Sequence, residues 1–262
     1  MDRTIFMLTL STACIKMFNA QTLDSLRIFN GTTAAEGKYP YVVCLLKWGL
    51  LRTCTGTLIS SEWVVTAGHC VHPTVTLIQY NNFHVSPDKK PDTMSPIIRL
   101  VTHPHFRIQP YSCPINDIAL ARVQKVPVNI FAILSAIDYT SLMGSSVQYA
   151  GFGMTQMNIP NEKEIKIFLS DNERPLQVGE GVVTSCQLMK GPKAKPFGPC
   201  MCVTPKCSNK RQTIVNGDSG GPLFYENKIV GVACCGFSDH APIDAYTAIS
   251  PHITWIHSVV NS

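Results

Sequence analysis

This chain of 262 residues contains no internal repeat, no low-complexity tract and no long run of lysine or arginine. With a formal charge of only +5, it lacks the basic surface on which nucleic-acid binding rests. The one basic stretch, Lys190-Gly191-Pro192-Lys193-Ala194-Lys195, reads as a solvated loop. Long apolar runs are missing too. The single conspicuous one, Ile5 to Ile15, is too short to cross a bilayer, so no membrane anchor is expected. Arg3 before it and Lys16 after it give residues 1–20 the pattern of a secretory signal, with Ala20 as the candidate cleavage site.

Cysteine is plentiful. Of eleven, Cys14 leaves with the signal and ten remain. In an oxidising compartment these are read as bridges before they are read as metal ligands. The set Cys200, Cys202, Cys207, Cys234, Cys235 and His240 follows no common zinc spacing, so no metal and no cofactor are expected. Asn30-Gly31-Thr32 is a glycosylation sequon.

From Tyr39 onward, short β-rich runs alternate with Gly, Pro and Asn. They include Tyr41–Leu46, Thr57–Ile59, Val75–Tyr80, Ile97–Val101, Ile118–Val123, Val147–Ala150, Val182–Cys186 and Ile229–Ala233. This pattern predicts an all-β barrel or sandwich rather than a parallel sheet with helices. The end differs. Ser250 is a candidate cap, Pro251 suits a first helical position, and Ile253, Ile256 and Val260 share a face, so a short helix is predicted over 251–260.

Three motifs carry the chemistry. Gly217-Asp218-Ser219-Gly220-Gly221-Pro222 holds a serine on a tight turn, where backbone N–H groups can face a developing oxyanion. A serine hydroxyl needs a base to attack at neutral pH. A histidine supplies one, because its pKa of about 6.5 lets it take and return a proton. His69 stands in Thr66-Ala67-Gly68-His69-Cys70, after the run Trp63-Val64-Val65, and Asp117 in Asn116-Asp117-Ile118-Ala119-Leu120. The other histidines, His72, His84, His103, His105, His240, His252 and His257, read as structural or exposed. The glycine-flanked serine also fits the nucleophile elbow of α/β-hydrolases. That fold needs Ser before Asp before His, whereas here the order is His69, Asp117, Ser219.

In this order the motifs resemble the chymotrypsin/trypsin family of serine endopeptidases, in a secreted, invertebrate-like form, from Arg27-Ile28-Phe29-Asn30-Gly31 to Trp255-Ile256. The resemblance implies two six-stranded antiparallel β-barrels, about 28–135 and 136–250, followed by the C-terminal helix, with the cleft between the barrels. It implies a nucleophile Ser219, a base His69, an orienting Asp117, and an oxyanion hole from the amides of Gly217 and Ser219. It implies a bridge from Cys54 to Cys70. It also implies a zymogen, with residues 21–27 as propeptide and 28–262 as the protease domain. The cut after Arg27 would free Ile28 to pair with Asp218. Expected partners are protein or peptide substrates, protein inhibitors of proteases and an activating trypsin-like protease, with the chain itself a monomer.

The same resemblance exposes departures. Thr213 stands at the base of the specificity pocket where trypsins carry aspartate, and Asp244 stands on the wall where glycine is common. Basic P1 residues are therefore favoured over large apolar ones, through Asp244. Asn216 and Cys234-Cys235-Gly236 complete the substrate-binding positions, the last three replacing Ser-Trp-Gly. Val215 replaces one half-cystine, and Val147 and Tyr225 replace both ends of another bridge. Cys186 is expected to pair with Cys200, Cys202 or Cys207. A bridge between Cys113 and Cys235 is an option, and Cys44 has no assigned partner. No acid lies between Val71 and Asp88, so no calcium is expected there. A non-catalytic homologue that binds partners is the alternative reading, which the unusual Cys234-Cys235 pair favours.

Overall fold

The computed structural model describes residue 28 and residues 31–81, 83, 85–109, 113–153, 175–186, 198–206, 212–237 and 243–262. The segments expected as signal and propeptide, with Arg27, and also Asn30, His84, the stretch Lys190–Lys195, Cys207 and His240 lie outside these residues.

The first barrel is built from β2 (Val42–Lys47), β3 (Leu51–Leu58), β4 (Trp63–Thr66), β5 (Val75–Gln79), β6 (Met94–Thr102) and β7 (Ala119–Val123). They close in the order β2-β3-β4-β7-β6-β5. The second barrel uses β8 (Ser146–Gly151), β9 (Gln177–Thr184), β10 (Cys200–Pro205), β11 (Pro222–Tyr225), β12 (Lys228–Phe237) and β13 (Ile243–Ala248). Its order is β8-β9-β10-β13-β12-β11, closed by pairing of β8 with β11. Closure removes the free edges that short strands would otherwise expose. A two-residue strand, β1 (Thr32–Thr33), pairs with β9 and ties the N-terminal side of the domain to the second barrel.

Local chemistry accounts for much of this. The β11–β12 hairpin turns on Glu226 and Asn227, both at positive φ (48° and 60°), the geometry of a two-residue turn that matches strand twist. β9 begins earlier than the apolar run suggests, because Gly179 and Gly181 interrupt the pattern. A Cβ at Gly179 would lie 2.3 Å from the Tyr149 ring, and one at Gly181 2.3 Å from a Val203 methyl. Both glycines make room for large neighbours inside a continuous strand. Val147 and Tyr225, where a family bridge is missing, both pack in the apolar cluster of the second barrel.

The C-terminal helix is shorter than expected. A 3₁₀ turn, Ser250–His252, leads into α1 (Ile253–Val260). Ser250 is not its cap. The residue before α1 is His252, and its side chain turns back to the Ala248 carbonyl. Although α1 follows the last strand of the second barrel, it buries Ile256 in the cluster that fills the first barrel and its seam with the second. Ile253, Trp255, Val259 and Val260 pack around it. Ile256→Ala should therefore cost about 2–4 kcal/mol, read by denaturant unfolding of the folded chain.

Candidate active site

His69 sits on a 3₁₀ turn, Gly68–Cys70, directly after β4. Its backbone N–H donates to Asp117 Oδ1 at 2.8 Å, and its Nδ1 lies 2.6 Å from Asp117 Oδ2. Gly68 allows this approach, because a Cβ there would come within 2.8 Å of the Phe106 ring and 3.1 Å of Asp117 Oδ1. Asp117 is fully buried. From the second barrel, the Cys234 thiol hydrogen-bonds to the same carboxylate, and Thr247 hydrogen-bonds to the thiol. Burial, and then the Asp117 charge, hold Cys234 well above the usual thiol range, so the side chain is a neutral donor.

Ser219 lies on a loop with Gly217 (φ 99°) and Gly220 (φ 83°), a backbone that side-chain-bearing residues rarely adopt. Thr55 on β3 anchors it. The Thr55 amide donates to the Ser219 carbonyl at 2.8 Å, and the Thr55 hydroxyl donates to the Gly217 carbonyl at 2.8 Å. That hydroxyl also accepts the Phe152 amide at 3.1 Å. A Cβ at Gly220 would lie 2.2 Å from the Thr55 carbonyl oxygen, which forces glycine. The carbonyls of residues 217 and 219 thus turn toward the first barrel. Among the described residues the amides of Gly217 and Ser219 meet no acceptor. The Cys70 sulfur lies 3.6 Å from the Ser219 carbonyl oxygen, which brings the serine loop against the turn that bears His69.

Asp218 points the other way, into a glycine cradle. It is 1% exposed, and it accepts the Gly153 amide at 2.7 Å and the Val215 amide at 2.9 Å. The backbone N–H of Ile28, itself buried, is a third donor. A Cβ at Gly151 or Gly153 would fall 2.2 or 2.5 Å from a carboxylate oxygen. Burial pushes the Asp218 carboxyl up to about 7, with the three amides pulling it back. Ile28 has φ 26°, a strained value for a β-branched residue.

Asp244 and Thr213 meet. The Thr213 hydroxyl donates to Asp244 Oδ1 at 2.5 Å, and the Ile214 amide donates to Oδ2 at 3.0 Å. Asp244 is 1% exposed, pairs in register with Gly236, and is pushed up to about 7 by burial. The Thr213 and Ile214 hydrogen bonds oppose that shift, and the Asp218 charge adds to it. Asn216 is exposed and makes none of these contacts.

Disulfides join Cys54 to Cys70, Cys113 to Cys235 and Cys186 to Cys202. The second ties the loop that leads to Asp117 to the strand that bears Cys234. Among the described residues Cys44, Cys200 and Cys234 are free thiols. The thiol of Cys44 is fully buried and is pushed up to about 12 by that burial. Thr55, Gly151 and Gly153 escape a sequence reading. They serve the site through contacts from 65 to 162 residues away, and no local motif marks them.

A family model described as Trypsin matches residues 28–256. Serine protease SP24D of Anopheles gambiae is 30% identical over 241 residues, covering 89% of this chain and 81% of the relative. Duodenase-1 of Bos taurus is 24% identical, covering 91% of each. Among solved structures, the human heparin binding protein aligns with a TM-score of 0.69 at 20% identity, over 89% of this chain and 96% of its own. Neuropsin, a serine protease expressed in the limbic system of mouse brain, aligns at the same TM-score and 21% identity, over 88% and 99%. The last two likenesses concern the fold.

Proposed function

Because this chain belongs to the trypsin family of serine proteases, we propose that it is a secreted endopeptidase, made as a zymogen and activated by a cut after Arg27. The observation that carries this reading is the buried Asp117 bonded to both the amide and the ring of His69, beside the glycine-flanked loop of Ser219. Ser219 Oγ attacks the substrate carbonyl carbon, and His69 Nε2 takes its proton. Asp117 keeps the proton of the ring on Nδ1 and stabilises the imidazolium. The amides of Gly217 and Ser219 donate to the oxyanion. His69 then returns the proton to the departing amine. Water, activated by the same histidine, releases the acyl group from Ser219.

Residues 1–20 serve as the signal and 21–27 as the activation peptide. The cradle explains why a cut would matter. In the uncut chain a carboxyl pushed up to about 7 sits with backbone donors alone at its oxygens. A cut before Ile28 turns its amide into an ammonium at the same place. It also abolishes the torsion that is strained at φ 26°. The new cation favours ionised Asp218 and fixes the adjoining Gly217 and Ser219 amides. Protein substrates, protein inhibitors and an activating trypsin-like protease are the partners, and the enzyme works as a monomer. Limited digestion with trypsin should yield Ile28 as the new N-terminus by mass spectrometry, together with hydrolysis of peptide amides. Arg27→Gln should stay uncut and inert under the same treatment. An active Arg27→Gln protein would contradict the activation scheme.

The primary pocket favours basic P1 residues. A buried carboxylate without a cation is costly, and a substrate lysine or arginine is a fitting counter-charge for Asp244. The sign follows from its raised pKa of about 7. Below it the free pocket holds a neutral acid, and above it a carboxylate. The ratio of kcat/KM for an Arg substrate over a Phe substrate should therefore rise between pH 6 and pH 8. Asp244→Ala should flatten that rise and reduce Arg cleavage by at least about tenfold, the loss of one charge-assisted contact. Unchanged Arg cleavage in this variant would overturn the preference.

A further inference from the structure

We propose that His252 is a positioning residue for the catalytic aspartate and acts through Asn116. The inference rests on the reading of Asp117 as the group that orients His69. His252 follows the last strand of the second barrel, yet its side chain is spent on the loop that delivers Asp117. It is 2% exposed, and both ring nitrogens are engaged. Nδ1 lies 2.7 Å from the Ala248 carbonyl oxygen, and Nε2 lies 3.2 Å from Asn116 Oδ1. A carbonyl only accepts, so Nδ1 carries a hydrogen. Asn116 in turn donates from Nδ2 to the His105 carbonyl at 3.1 Å. One amide side chain is thus held between the entry to the C-terminal helix and the loop after β6.

Asn116 needs such a hold. Its φ is +48°, a left-handed turn that residues with side chains adopt infrequently. The turn is tight, with the Ile118 amide donating to the Asn116 carbonyl at 2.8 Å. The next residue is Asp117, whose two oxygens must meet the amide and Nδ1 of His69 together. Rotation about the Asn116 backbone would swing that carboxylate, so fixing the Asn116 side chain fixes the aim of Asp117.

Of this hold, only the bond between His252 and Asn116 survives in either charge state of the ring, and burial lowers the His252 pKa toward the neutral form. An imidazolium donates from Nε2 to Asn116 Oδ1. In the neutral ring, with its hydrogen on Nδ1, Nε2 accepts from an Asn116 amide turned over, and the bond to His105 is given up. At its inner end, the His252 ring is closed against water. The His103 ring stands edge-on to His252, with centroids 5.0 Å apart, and to Trp255 at 4.9 Å. Burial, and then His252 and His105, hold His103 down to about 4, so near neutral pH it is an uncharged wall. Trp255 belongs to α1, which remains docked through Ile256 whether or not His252 bonds Asn116.

This separates positioning from mere docking of the helix. The test compares cleaved wild-type enzyme with His252→Phe, His252→Gln and Asn116→Gly on one peptide amide, alongside thermal unfolding of each. Phenylalanine keeps a planar ring without nitrogens. Glutamine presents a donor near the Nε2 position, and glycine accepts a positive φ without a side chain. His252→Phe and Asn116→Gly should each lower kcat by about tenfold or more with KM changed less than about twofold, as misaim at the reacting centre does. His252→Gln should recover to within about threefold of wild type, because its amide can donate to or accept from the Asn116 side chain. An active wild type with His252→Phe and Asn116→Gly folded and at full kcat would overturn this proposal alone. So would a folded His252→Gln no better than His252→Phe. A cleaved wild type with no activity would overturn it together with the protease reading beneath it.

Discussion

A carboxylate with no solvent exposure must find its donors within the protein, and Asp117 draws them from both halves of the chain. The first barrel contributes the amide and ring of His69. The second barrel contributes the Cys234 thiol, with Thr247 behind it. Burying such a charge without donors would cost several kcal/mol, so the contact between the barrels is set by the same groups that hold His69. The disulfide from Cys113 to Cys235 makes that contact covalent, four residues before Asp117 and one after Cys234. Where the family pattern has serine and tryptophan, this chain has a weaker donor and a staple.

The serine loop depends on the same seam. Thr55, on the strand that also carries the bridged Cys54, holds the carbonyls of Gly217 and Ser219. Behind the loop, Asp218 fills a space that exists because Gly151 and Gly153 have no side chains. Two buried acids, Asp218 and Asp244, then lie in one barrel, each pushed up to about 7 by burial. In the proposed scheme each awaits its own cation, one from the chain's new terminus and one from the substrate. In that scheme specificity and activation would share a single physical cause, the cost of an ion in a dry barrel.

Much of this was legible in the sequence because the chemistry fixes residue types locally. A serine between glycines, a histidine before a cysteine and an aspartate ahead of an apolar strand announce themselves, and β-branched runs between turn residues announce barrels. What was hidden depends on distant packing. Gly179 and Gly181 look like strand breaks but clear space for Tyr149 and Val203. The partner of Cys186 was open among three cysteines. It is set by the register of β10 on β9, which places Cys202 opposite Thr184. Ser250 has the right chemistry for a cap, yet the turn there is 3₁₀ and His252 supplies the contact to Ala248. Thr55 carries no signal at all, because its partners lie 97 and 162 residues away.

The most direct measurement is the rate at which an organophosphonate modifies Ser219 in the cleaved protein, compared with a folded Asp117→Asn variant. The account predicts stoichiometric labelling at Ser219 in wild type. In the variant, labelling should slow by roughly 10³–10⁴, because an amide at this position leaves His69 in the wrong tautomer. Equal labelling rates in the two proteins, or modification away from Ser219, would contradict it.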